Sequence, residues 1–204
     1  MSTRDRILRA ARDVFLEHGL DGVRMRAVAA RVDLTPMALY RHFRNKEALL
    51  DAVVEEGHAI FLRYLQRALA EPSPGERLTR AGYEYLNFAL QQRGDYRVMF
   101  MMATARRPAE ATPGWRDVAT FRFLVDRIRE CADAGLLRVD DPESTALTVW
   151  AHVHGLVSLF LAGKLQLDEV RFRSLYGRSV TDLMRAFGWP VETAAVAATA
   201  EAWR

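Results

Sequence analysis

The chain has 204 residues, enough for one domain or two small ones with a properly buried core. Half of its residues are hydrophobic and 27% are charged, a globular composition that excludes a disordered or low-complexity chain. The net charge of +3 is unevenly placed: residues 1–50 hold ten Lys and Arg against six Asp and Glu, whereas the rest hold nineteen against twenty. A basic first quarter on a near-neutral remainder fits a small module that meets a polyanion, although a merely solvated basic face has the same composition.

A single cysteine, Cys131, excludes an internal disulfide and fits a reducing cytoplasm. The apolar run "GLVSLFLAG" at 155–163 is well short of the roughly 20 residues a bilayer span requires, so no membrane segment is expected. The opening "MSTRDRILRAA" mixes charged and apolar residues and lacks the apolar core of a signal peptide.

In chain order, Ile7, Leu8, Ala11, Val14 and Phe15 recur at helical spacing after Ser2 and Thr3 as caps, with Gly19 as the stop. After the Asp21-Gly22 turn, Met25, Val28, Ala29 and Val32 mark a second helix of about two turns. Asp33 then stands where the chain must turn sharply, and aspartate tolerates left-handed backbone better than most residues. Thr35-Pro36 is a helix start, a hydroxyl at the N-cap and proline at the first helical position. On this third helix Leu39 and Phe43 face inward, leaving Met37, Ala38, Tyr40, Arg41 and Arg44 on the outer faces. Asn45 caps a long helix beginning at Lys46-Glu47 and running to about Ala70. The pattern is helix-turn-helix, with the third helix as the reader.

Beyond residues 72–75 the apolar stripe of Leu78, Ala81, Tyr85 and Ala89 predicts another helix, broken at Gly94 before a short apolar segment, "YRVMFMMA". Residues 103–114 carry two prolines and no periodicity and read as a loop. Val118, Phe121, Val125, Ile128 and Cys131 mark a helix ending in "DAGLL"; Asp141-Pro142 opens one through about Ala162, and Asp168 another through Phe187. The alanine-rich tail, 191–204, reads as a weak last helix. Strand-like alternation and 20–50-residue repeats are missing, so the chain is expected to be all-α.

The sequence carries no phosphate-binding glycine loop and no cysteine pair for zinc. His152 and His154 are two apart and do not share a helix face, which makes them poor metal partners. Neither a metal, a cofactor nor an enzymatic activity is expected. Cys131 lies on an apolar face and reads as structural.

The order of elements, with "ILRAARDVFLEHG", the Val28-Ala29 pair and above all "LYRHFRNKE" at 39–47, resembles the TetR family of one-component bacterial transcriptional regulators. Two positions depart from its pattern: Arg24 stands where a capping, phosphate-touching threonine is usual, and Asp33 where glycine is common. The resemblance implies a DNA-binding domain over 1–46 and an effector-binding and dimerisation domain over 47–204. It places the third helix in the major groove, with Tyr40, His42 and Lys46 on backbone phosphate and Thr35, Pro36, Met37, Ala38 and Arg41 as candidates for base edges. Arg41 suits a bidentate pair with guanine, and Met37 or Ala38 a thymine methyl. Arg24 and Arg26 are further phosphate candidates, with solvated arginines as the plain alternative.

"WAHVHGL" is similar to the Trp-x-x-x-His-Gly signature of one ligand-domain subgroup. Trp150 and His154 share a helix face, as a pocket wall with a hydrogen-bonding ligand contact or as a satisfied core pair. Tyr83, Met99, Met102 and Phe121 are the other pocket candidates; a Met/aromatic stripe is also ordinary core. Such a lining favours a neutral hydrophobic or aromatic effector. The family resemblance further implies a homodimer in which the last two long helices of each subunit form a four-helix bundle, with Leu147, Ala151, Val157, Leu161, Leu175, Ser179, Leu183 and Phe187 as plausible seam residues. Together these expectations describe a cytoplasmic homodimeric repressor on palindromic double-stranded DNA, released by its ligand. A helical small-molecule-binding protein or enzyme without DNA function is the alternative.

Overall fold

The computed structural model describes residues 2–102 and 115–190, the side chains of residues 101, 102 and 115 excepted. The loop expected at 103–114 and the tail helix expected at 191–204 lie outside the described residues. Nine α-helices and no strand occur among the described residues: α1 (Thr3–Gly22), α2 (Met25–Arg31), α3 (Pro36–Tyr40), α4 (Lys46–Gln66), α5 (Pro74–Gln91), α6 (Arg93–Arg97), α7 (Ala119–Asp133), α8 (Pro142–Leu161) and α9 (Glu169–Ala186). The all-α architecture is the one the helical periodicities predict.

Most helix starts follow from local chemistry. Ser2 and Asp5 form a reciprocal capping box at α1, in which the Asp5 carboxylate accepts from the Ser2 N–H at 2.8 Å. Thr35, Asn45, Asp141 and Asp168 each accept a backbone N–H at the starts of α3, α4, α8 and α9. Gly19 interrupts α1 with φ 67°, at the expected stop, and Asp33 adopts φ 56° in the turn between α2 and α3. The long helix is α-helical only to Gln66 and tightens into a 3-10 turn over Arg67–Ala70. At α2 the N-cap is Arg24, whose side chain makes no capping bond.

The described residues form two compact units. The first holds residues 2–61 with 91–102; its core joins Ile7, Leu8, Ala11 and Val14 of α1 to Val28, Ala29, Leu39, Phe43, Leu49, Leu50 and Val53. Val98, from far along the chain, is fully buried in that same core. Gly94 is therefore no break. It lies inside α6, and a Cβ there would stand 2.9 Å from Leu16 Cδ1, so the glycine permits a close approach to α1. The break falls at Gln92, and after α6 the backbone continues as a π-helical stretch over Val98–Met102.

The second unit holds residues 62–90 with 115–190. One of its cores gathers Leu78, Phe121, Val125, Ile128, Cys131, Ala146, Val149, Met184 and Trp189. Cys131 is fully buried and donates to the Pro74 carbonyl at 3.3 Å. Burial, with the Glu130 charge beside it, pushes its thiol up to about 12, so it is an inert core residue. By length and composition α8 is apolar enough to cross a membrane, with mean hydropathy 1.3; the shorter run 155–163 did not convey this. Only 28% of that stretch is buried within the chain.

Candidate nucleic-acid interface

Two inward residues anchor α3 and the turn after it; the helix ends at Tyr40, so Arg41, Phe43 and Arg44, expected on the third helix, lie beyond its last residue. Leu39 is fully buried and Phe43 nearly so, and the Thr35 hydroxyl accepts the Ala38 N–H at 3.2 Å. With these fixed, several of the remaining residues point outward. Met37 is 71% exposed and Tyr40 48% exposed. Thr35, Arg41, His42 and Arg44 are also exposed, whereas Pro36 and Ala38 are half-buried. An exposed methionine and tyrosine on so short and firmly seated a helix contribute nothing to the core.

The turn before α3 is held in place. The Arg6 guanidinium donates to the Val32 carbonyl at 2.8 Å, satisfying the C-terminal end of α2. Arg31 pairs with Glu17 through two guanidinium–carboxylate bonds, so this arginine is committed within the fold. Arg24 and Arg26 are exposed. Lys46 is half-buried, and its ammonium donates to the Leu20 carbonyl at 2.9 Å, a tie from the start of α4 to the end of α1. The sequence did not suggest this structural role; two further ammonium donors remain for a phosphate.

The residues proposed to sense a ligand are partly brought together. Phe121 and Trp150 meet edge to face at 6.0 Å, and Trp150 and His154 lie 5.9 Å apart. His154 Nδ1 is 3.2 Å from the Tyr85 hydroxyl and Nε2 is 3.4 Å from Ser158 Oγ. Burial lowers the pKa of His154, disfavouring its charged form. Tyr83 lies under the Arg80 cation at 5.2 Å. Met99 is buried in the first unit, where Gly57 leaves room for it: a Cβ at Gly57 would stand 2.7 Å from Met99 Cγ. The Met102 side chain lies outside the described residues. One charge was not foreseen: Glu84, between the two tyrosines of α5, is 1% exposed and paired with both Arg67 and Arg80.

Of the residues placed on the dimer seam, Leu147 and Ala151 are exposed, and Leu161, Leu175, Ser179, Leu183 and Phe187 are half-buried. Ser179 binds His152 Nε2 at 2.9 Å, joining α9 to α8. Val157 is a correction. It is fully buried within the chain and has no surface to offer a second copy.

A three-helix head with an outward reader and a separate helical unit define the class, a helix-turn-helix regulator. Residues 7–53 match the model of the bacterial regulatory proteins, tetR family, and residues 78–187 match that of the tetracyclin repressor-like C-terminal domain. The chain belongs to the tetR family, a family of regulators and not of enzymes. Among similar proteins, the regulator UidR of Escherichia coli is 41% identical over 76 residues, covering 36% of this chain and 35% of that protein. The class A tetracycline repressor from transposon 1721 of Escherichia coli is 51% identical over 49 residues, covering 24% and 23%. The repressor KstR2 of Mycolicibacterium smegmatis is 28% identical over 130 residues, covering 63% and 59%. The chain thus spans less than two thirds of each of these relatives. Of solved structures, SmeT, the repressor of the Stenotrophomonas maltophilia multidrug efflux pump SmeDEF, superposes with TM-score 0.70 at 26% identity, covering 96% of this chain and 93% of that one.

Proposed function

We propose that the protein is a DNA-binding transcriptional repressor that acts as a two-fold dimer on a palindromic operator and is released by a small hydrophobic or aromatic ligand. The observation that carries the reading is the exposed run Met37, Tyr40, Arg41 and His42, on α3 and the turn that follows it, whose inner residues Leu39 and Phe43 are buried. Tyr40, His42 and Lys46, with Arg24 and Arg26, are assigned to backbone phosphate, which sets register without reading sequence. Thr35, Pro36, Met37, Ala38 and Arg41 are assigned to base edges, with Arg41 on guanine and Met37 on a thymine methyl. The names of the class A tetracycline repressor, KstR2 and SmeT support repression as the outcome. A DNA partner fits a cytoplasmic protein.

Dimerisation is supported by α8, an apolar helix most of whose residues are half-buried or exposed within the chain. Leu147 and Leu159 are 37% and 46% exposed on it, and a Cβ at Gly155 would meet nothing within 4 Å. A second copy laid against α8 and α9 covers this surface as a four-helix bundle. Two readers so related sit about 34 Å apart on successive turns of DNA. The aromatic cluster of Phe121 and Trp150 is the proposed ligand wall. An effector releases DNA only if it binds the unbound spacing of the readers better than the DNA-bound one.

Selection of binding sites from random duplex DNA, followed by sequencing, tests the reading. A palindromic motif supports a sequence-specific dimer. Retention without a motif reduces the interface to general electrostatic attraction, and no retention favours a ligand-binding protein without DNA function.

A further inference from the structure

We propose that Arg4, in the first turn of α1, is a further phosphate-binding residue, and that the ring of Phe43 holds it in place at the edge of the reading surface. The proposal rests on α3 facing DNA. The Arg4 guanidinium carbon sits 5.4 Å from the centroid of the Phe43 ring. Phe43 is buried at 4% exposure in the core of the first unit, and its sequence neighbours His42 and Arg44 are both exposed. The residue that closes the core behind α3 therefore presents one ring face on which a cation rests, beside the outward row of the reader.

The charges around Arg4 explain why a cation here is useful for binding and not only for folding. Its neighbour Asp5 is engaged by the capping box with Ser2, and among the influences on that carboxylate the Arg4 charge is the smallest. Of the other arginines of α1 and α2, Arg9 and Arg26 are exposed, whereas Arg6 is spent on the Val32 carbonyl, Arg12 on Asp95 and Arg31 on Glu17. Arg4 is likewise exposed, next to a segment that already carries Arg41, Arg44 and Lys46. Adding a fourth cation to that edge opposes folding by like-charge repulsion, and a cation–π interaction at an exposed site returns only about 0.5–1 kcal/mol. A polyanion laid across the edge turns the same repulsion into attraction. The ring restrains the side chain, so less freedom is lost on binding than for a solvated arginine.

The test measures affinity of the full chain for its selected operator and for a short mixed-sequence duplex, from about 50 to 200 mM salt. Arg4→Ala is expected to flatten the plot of log affinity against log salt by about 0.9 for each phosphate that is no longer neutralised, and to weaken both DNAs alike. Arg4→Lys, which keeps the charge, is expected to retain the slope. An unchanged slope in Arg4→Ala overturns the proposal, and a lower melting midpoint with that unchanged slope makes Arg4 only a cover for Phe43. Should Arg4→Ala fail to fold, Arg4→Met keeps the apolar cover without the charge and is judged by the same slope. Tyr40→Ala, Lys46→Ala and Arg41→Ala, measured in parallel, separate the two ideas: if all three leave binding intact, the reading of α3 itself fails.

Discussion

Arg12 Nη1 donates to both carboxylate oxygens of Asp95, at 2.9 and 3.1 Å, across 83 residues of sequence. Asp95 is 4% exposed, so its charge depends on this partner. With Gly94 against Leu16 and Val98 in the core, the pair makes α6 a structural part of the unit that carries the reader. Asp95→Ala strands a partly buried guanidinium and is expected to cost about 1–3 kcal/mol. Asp13→Ala removes only a looser 3.6 Å ion pair with the same arginine and is expected to cost far less. Urea unfolding of the two variants checks this; equal losses would mean that burial gives the Asp95 pair no special weight.

What the sequence made legible and what it hid divide along range of interaction. Thr35, Asn45, Asp141 and Asp168 announce helix starts because a cap bonds its own N–H groups two or three residues on. The left-handed turn at Asp33 and the inward pair Leu39 and Phe43 are likewise local consequences. Gly94 reads as a breaker because glycine usually is one; only the approach of Leu16 from α1 explains it inside a helix. Arg4 on Phe43, Lys46 on the Leu20 carbonyl and Val157 facing inward depend on tertiary packing that no helical period encodes. In α8 periodicity is a weak guide, since its composition is apolar along most of its length and the spacing alone does not single out the face that carries Val149, Val153 and Val157 inward.

Burial lowers the pKa of both His58 and His154 below the ordinary 6.5. As pH falls through that value the unfolded chain takes up protons first, so it binds more protons than the folded chain and stability falls. The loss develops between about pH 6.5 and the lower folded-state values, and levels off below them. Thermal midpoints at about pH 7.5 and 5.5 are expected to differ less in His154→Asn than in the unaltered protein. Asparagine also disturbs the Tyr85 bond, so the readout is the pH difference and not the absolute midpoint. An equal drop in both proteins would exclude His154 as a contributor.

The two departures from the family pattern have opposite expected signs. At Arg24 the N-cap backbone is extended, φ −119° and ψ 140°, yet the side chain makes no cap. Arg24→Thr supplies the missing acceptor and is expected to stabilise by about 1 kcal/mol. At Asp33 the φ of 56° is tolerated by aspartate, so Asp33→Gly is expected to change little, relief offset by a more flexible unfolded chain. Asp33→Val places a β-branched residue in the left-handed region and is expected to cost about 1–2 kcal/mol. Denaturation midpoints of the three variants decide; no gain from Arg24→Thr means that α2 starts satisfied in some other way.

The proposed division of labour on α3 separates by the kind of loss each substitution causes. Tyr40→Ala removes an exposed group assigned to phosphate and is expected to weaken binding to every sequence by a similar factor. Lys46→Ala is expected to do the same and in addition to lower the melting midpoint, because the Leu20 carbonyl loses its donor. Arg41→Ala is expected to relax preference at one base position per half-site, at about 1–3 kcal/mol of discrimination. Affinities of each variant for the selected operator and its single-base variants distinguish these patterns. A uniform loss for Arg41→Ala across all operators would move that residue from base edge to backbone. A position-specific loss for Tyr40→Ala would move that residue the other way. The assignment of α3 as the reader survives either exchange; it fails only if none of the three substitutions changes binding.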